Sequence, residues 1–141
     1  TTFKLPSLSV NEGMARAAVS AFCSQLDPCA TELADIKCAV SEAVTNCIVH
    51  AYKDKCGTIY ISGRYYSDRT VEIKIKDKGC GISDIKKAME PLFTTVGGER
   101  AGLGFAVMQS FMDSIRVRSK LGRGTTVLLA KKIAPRYTIN G

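Results

Sequence analysis

At Gly57 the hydrophobic period of the chain changes from three-and-four to two, and that change limits the fold more than any other feature. Before it, Met14, Ala15, Ala18, Val19, Phe22 and Leu26 recur at the spacing of one buried helix stripe, which predicts a helix over about 11–26, ended by Asp27 and Pro28. A second helix is predicted over about 31–52, with Thr31 as its cap. Its apolar residues (Leu33, Ile36, Ala39, Val40, Ala43, Val44, Cys47 and Ile48 among them) cover most of its circumference. After Gly57, Ile59 and Ile61 alternate with Tyr60 and Ser62, and Val71, Ile73 and Ile75 alternate with Glu72, Lys74 and Lys76. These are two strands, joined as a hairpin around Ser67 and Asp68. Phe3, Leu5, Leu8 and Val10 predict a short edge strand interrupted at Pro6, since an edge is where proline belongs. Further on, the pattern predicts a short helix over 83–90, a loop over 91–101 loosest at Gly97 and Gly98, a helix over 102–113, and strands over 114–120 and 124–133. The expected architecture is an α+β two-layer sandwich: a mixed, largely antiparallel sheet with helices on one face.

A chain of 141 residues falls within the size of one domain, here 1–141, and its 45% hydrophobic content is enough to fill a core. Disorder, collagen and small disulfide scaffolds are excluded. No apolar run approaches the roughly 20 residues of a membrane-spanning helix, and the opening TTFKLPSLSV lacks the pattern of a signal peptide, so a cytoplasmic location is expected. The net charge of +7 favours an anionic partner without choosing among nucleic acid, nucleotide and acidic protein. The basic residues are scattered, mostly beside acids or in strand-like alternation, which reads as solvated faces rather than a nucleic-acid stripe. Six cysteines without a C-x-x-C, and His50 as the only histidine, argue against a zinc site; the thiols are expected to be reduced.

Four segments carry polar groups of chemical interest. Glu42, Asn46 and His50 follow one another at intervals of four on the second helix, about 6 Å apart along its axis, and either find buried partners or face a cleft with a charged ligand. Asp77-Lys78-Gly79-Cys80-Gly81 places a carboxylate after a strand and before a glycine turn. Standing alone, it reads more readily as a tight turn. Gly102-Leu103-Gly104 opens a helix whose free N–H groups attract phosphate, or else is a helix-packing glycine pair. Gly122-Arg123-Gly124-Thr125-Thr126 is a hairpin turn entering the last strand.

In order and separation these four segments resemble the N, G1, G2 and G3 boxes of the GHKL superfamily, whose Bergerat ATP-binding fold unites gyrase, the ninety-kilodalton heat-shock chaperone, histidine kinases and the mismatch-repair ATPase. Within it, NEGMARAAVSAFCSQLDP, SEAVTNCIVHAY, EPLFTT and ERAGLGFAVMQSFMD are similar to the anti-sigma-F factors of sporulating bacteria. The resemblance covers nearly the whole chain. It implies an ATP-dependent serine protein kinase that binds and inhibits a sporulation sigma factor, phosphorylates that factor's anti-anti-sigma antagonist, and works as a homodimer.

The resemblance also implies roles. Glu42 is the general base toward a serine hydroxyl. Asn46 ligates the Mg²⁺ that bridges the phosphates of ATP or ADP. Asp77 accepts a hydrogen bond from the adenine amino group, which guanine cannot offer. Gly79 and Gly81 let backbone approach the base, and Thr125, rather than Thr126, makes a water-mediated adenine contact. Thr95, Arg100, Gly102, Leu103 and Gly104 serve the phosphates, with Arg100 reaching them when the 91–101 loop closes as a lid. Arg16 matches a position that contacts both protein partners. Val96-Gly97-Gly98 departs from the family's more polar lid. His50 either approaches a phosphate or satisfies a carbonyl near the helix end. The competing readings are a switch kinase for a general-stress sigma factor, the detached catalytic domain of a histidine kinase, and a nucleotide-gated binding module without kinase activity. A direct nucleic-acid or membrane partner is not expected.

Overall fold

The computed structural model describes residues 1–53, 55–88 and 104–135. Strand β1 (Thr2–Pro6) is followed by helix α1 (Asn11–Cys23), a 3₁₀ turn at Ser24–Leu26, and helix α2 (Ala30–Asn46). The chain then forms strands β2 (Thr58–Tyr65) and β3 (Thr70–Lys76), helices α3 (Ile85–Ala88) and α4 (Phe105–Phe111), and strands β4 (Ser114–Lys120) and β5 (Gly124–Lys132). The sheet runs in the order β1-β2-β3-β5-β4. All four pairings are antiparallel, so the expected sheet is fully antiparallel among the described residues.

Strand alternation sends one set of side chains into the core. Leu5, Ile59, Ile61, Val71, Ile73, Ile75, Val127 and Leu129 are buried beneath Ala15, Val19, Ile36, Val40 and Val44 of the first two helices and Phe105 and Met108 of α4. The described helices α1, α2 and α4 pack on this face. Gly63, where the alternation calls for an inward residue, leaves room for Phe22: a Cβ there would stand 2.9 Å from that ring. A full β-branched side chain would push α1 off the sheet.

Two local expectations are corrected. The cap of α2 is Cys29, not Thr31: its Sγ accepts from Glu32 N at 3.5 Å while Glu32 Oε1 accepts from Cys29 N at 2.9 Å, a reciprocal capping box. The helix also stops being α-helical at Asn46. Cys47–Ala51 forms a π turn, closed by Tyr52 N donating to Cys47 O at 3.1 Å, which adds a residue to the turn and re-aims the chain beyond it. Cys23 and Cys47 are buried and Cys38 is exposed; all six cysteines are free thiols.

Candidate functional site

Three chain segments meet at the end of the sheet below α2. β3 delivers Asp77 just beyond its last residue, β5 begins with Gly124 and Thr125 beside it, and the π turn closes over both. Asp77 is 5% exposed, yet its carboxylate is well furnished. Oδ1 accepts from Gly79 N at 2.9 Å and Thr125 N at 3.2 Å, and Oδ2 accepts from Cys47 Sγ at 3.5 Å. Burial raises its pKa above the ordinary aspartate value, against the lowering effect of these hydrogen bonds. Burial first, and the Asp77 charge second, push the Cys47 thiol far upward, so it remains a protonated donor.

The carboxylate looks into a cavity of about 290 Å³. Ile75, Val127, Phe105 and Ile82 supply apolar walls, and Asn46, His50, Lys53, Asp77 and Thr125 supply the polar groups. An apolar slot with a few convergent polar groups is the usual form of a small-molecule site. Asn46 and His50 therefore share one cavity wall, Asn46 at the end of α2 and His50 within the π turn. Glu42 does not line it. Glu42 opens instead onto a neighbouring groove with Arg16, Lys37, Cys38, Ser41 and Phe111. Arg16 is held there: its Nη1 donates to Glu12 Oε2 at 2.7 Å and to Ser41 Oγ at 3.1 Å, and the Ser41 hydroxyl closes the triangle on Glu12.

Thr125 and Thr126 separate by alternation. Thr125 is buried against the cavity and its hydroxyl meets Ser119 Oγ at 2.8 Å, whereas Thr126 pairs with Lys76 and Arg118 on the opposite face. Ser119 also accepts from Ile82 N at 2.7 Å and so ties the turn after Asp77 to the β4–β5 hairpin. Neither Ser119 nor Cys47 carries a signal in the sequence beyond an ordinary small residue in a strand or helix.

The glycines of the turn answer to the protein's own backbone. A Cβ on Gly79 would stand 2.3 Å from Ala51 O, and one on Gly81, whose φ is +77°, would stand 2.3 Å from Lys120 O. Gly104, at φ +74°, caps α4, and its carbonyl accepts from Met108 N at 3.0 Å. Thr95, Arg100, Gly102 and Leu103, with the predicted 91–101 lid, lie outside the described residues. Among the described residues no three His, Cys, Asp or Glu side chains gather as a metal cage, and no helix is long and apolar enough to cross a membrane.

The fold and this cavity define an ATPase domain of the histidine kinase type: the model of that family, the histidine kinase-like ATPase domain, matches residues 5–131. A solved structure of the RsbU and RsbW domains of a Mycobacterium tuberculosis protein superposes with a TM-score of 0.70 at 20% identity, covering 99% of this chain and 34% of that one. Within this class the chain belongs to the anti-sigma F factor family. It is 54% identical to the anti-sigma F factor of Caldanaerobacter subterraneus subsp. tengcongensis, over 92% of this chain and 91% of that protein. It is 55% identical to that of a Thermoanaerobacter species, over 90% and 89%.

Proposed function

We propose that the chain, acting as one domain over residues 1–141, is a cytoplasmic, ATP-dependent serine protein kinase. It also binds and inhibits a sporulation sigma factor, phosphorylates that factor's anti-anti-sigma antagonist, and works as a homodimer. The observation that carries this reading is a division of labour on α2. Asn46 faces the cavity that Asp77 and Thr125 furnish, while Glu42, one turn earlier, faces a groove open to a protein partner.

In this reading Asp77 Oδ2, which accepts from Cys47 within the protein, has a lone pair left for the adenine amino group, and its fixed hydrogen bonds prevent it from turning away. A guanine would present a carbonyl oxygen against a carboxylate, so ATP and ADP are preferred. Thr125 binds the base through water. Gly104, with Gly102, Leu103, Thr95 and Arg100, serves the phosphates.

The donor set suits a magnesium ion carried by the nucleotide. Asn46 offers a neutral, hard amide oxygen, and the remaining ligands come from phosphate and water, as Mg²⁺ prefers. Bound there, Mg²⁺ neutralises charge on the phosphates. Glu42 takes the proton of a substrate serine that enters from the groove, and Arg16, locked by Glu12 and Ser41, presents its guanidinium to the partner at the groove's rim.

The test is transfer of labelled γ-phosphate from Mg-ATP to proteins of the source cell. An acid-stable label on one small protein is expected, reduced about 10²- to 10⁴-fold in Glu42→Ala with nucleotide binding retained. An acid-labile label would indicate a phosphohistidine and overturn the serine assignment. Nucleotide binding without transfer would leave a gated binding module.

A further inference from the structure

The sheet has a second face, and among the described residues no helix covers it. Antiparallel register places its outward side chains in cross-strand rows. One row runs Lys4, Tyr60, Lys76, Thr126, Arg118, and the next runs Thr2, Ser62, Lys74, Leu128, Arg116. The adjoining row adds Arg64 and Glu72, Lys120 stands at the far end of β4, and Lys132 lies at the end of β5. Glu72 is the only acid in these rows, and Arg64 Nε already meets it at 3.5 Å. Lys74, Lys76, Arg116, Arg118 and Lys120 are exposed, and none takes part in an ion pair among the described residues. Residues scattered from position 4 to position 132 thus converge on one surface. The sequence suggested solvated faces beside acids; the fold makes a single basic plane.

From this we propose that the bare face of the sheet binds the phosphate backbone of a single-stranded nucleic acid. Like charges placed at neighbouring outward positions repel one another, a cost that an array of anions removes. Their spacing suits a polyanion. Lys74 and Lys76, like Arg116 and Arg118, stand two residues apart along their strands, about 7 Å, and the two pairs are separated by two strand intervals, about 10 Å. At one end Lys76, Arg118, Lys120 and Arg123 surround a shallow basin of about 320 Å³ with Thr126 on its floor. Asp77, Ser119, Gly124 and Thr125 complete its lining, so four cations and a hydroxyl, the donors that phosphate takes, stand against one acid.

An acidic protein is the other polyanion, and the surface suits it less. Protein interfaces concentrate apolar and aromatic anchors and deplete charge at their centre. Here the centre is Lys74 and Arg116 with only Leu128 between them, and Tyr60 already carries Lys4 and Lys78 over its ring at 5.8 and 5.1 Å. Nucleic-acid interfaces are polar and strongly positive. Duplex grooves admit a helix or a two-stranded ribbon, too narrow for five strands, whereas a single strand lies across an open sheet. Lys76 and Thr126 leave the sheet on the side opposite Asp77 and Thr125, although the backbone segments of the latter two border both the basin and the cavity, and Lys74, Lys76, Arg116 and Arg118 do not line the cavity.

The experiment is fluorescence anisotropy of the full chain with a labelled single-stranded oligodeoxynucleotide of mixed sequence, titrated from low to physiological salt. Binding is expected to weaken linearly in log–log form, by about 0.7 in slope for each phosphate neutralised. The combined variant Lys74→Gln, Lys76→Gln, Arg116→Gln and Arg118→Gln should lose about tenfold or more in affinity at low salt and nearly 3 in slope. Its melting curve and ATP binding should be preserved. A double variant away from the face, Lys55→Gln with Lys86→Gln, should keep the wild-type affinity. Absence of binding at low salt would overturn the proposal, as would an equal loss in the control. So would polyglutamate competing as well as the oligonucleotide at equal charge, or tighter binding of the duplex.

Discussion

Asp77 shows how one residue is made specific by its partners. A buried carboxylate is ordinarily costly, and two backbone N–H groups and a thiol offset only part of that cost, which leaves its pKa raised. Asp77→Asn keeps an oxygen for Gly79 N and Thr125 N but turns an amide N–H₂ toward the cavity. The variant is expected to fold, and to lose adenine nucleotides because two donors then oppose each other; calorimetric titration with ATP and ADP checks this. The sign of the stability change comes from linkage. A native carboxyl with a raised pKa binds more protons than the unfolded one, so wild-type stability falls as pH rises from the ordinary value of 3.8 through the native one. The melting temperature of Asp77→Asn relative to wild type should therefore rise across that interval and level off above it. The family resemblance singled out Asp77 and Asn46 because each stands at a characteristic place in its segment. Cys47 and Ser119 stayed hidden, because a thiol in an apolar helix and a serine in a strand look the same whether or not a distant segment meets them.

At the scale of elements, the start of α2 offers a direct test. Its capping box uses a thiol, whose Sγ accepts from Glu32 N at 3.5 Å, where a hydroxyl or carboxylate is the stronger acceptor. Cys29→Ser should stabilise the protein by about 0.5–1 kcal/mol, read from urea unfolding midpoints at unchanged m-value. Glu32 also accepts from Ala134 N at 2.9 Å, so Glu32→Ala should cost more than loss of a cap alone, about 1–2 kcal/mol, by releasing the chain beyond β5. The helices and strands themselves were legible from period, because burial on one face dictates it. The cap was displaced by two residues because Thr31 is the better-looking residue and Cys29 the better-placed one. The π turn at Cys47–Ala51 left no mark on the apolar pattern, since α2 is apolar on nearly every side and one inserted residue does not interrupt it. That turn begins directly after Asn46 and carries His50 to the cavity wall, and the even spacing by fours concealed it.

For the whole molecule, the order β1-β2-β3-β5-β4 decides both faces. Inserting β5 between β3 and β4 brings Thr125 beside Asp77 on one side and Lys76, Thr126 and Arg118 into one row on the other. No local signal foretells this, since the cations come from strands far apart in the chain. The same closure makes the cavity depend on contacts across the chain, and two glycines separate that dependence from backbone strain. Gly81 and Gly122 have nearly the same positive φ, +77° and +80°, so alanine is strained at both. At Gly122 the new Cβ meets nothing within 4 Å, whereas at Gly81 it meets Lys120 O at 2.3 Å and Leu121 Cα at 2.9 Å, where the turn after Asp77 packs on the β4–β5 hairpin. Gly122→Ala should therefore cost about 1 kcal/mol and leave ATP binding unchanged. Gly81→Ala should cost on the order of 3 kcal/mol and weaken ATP binding in the molecules that remain folded, because the hairpin can yield only by moving Thr125 and Ser119 away from the Asp77 turn. Paired denaturation curves and titrations of the two variants measure the difference, and equal losses in both would mean that the turn and the hairpin move independently.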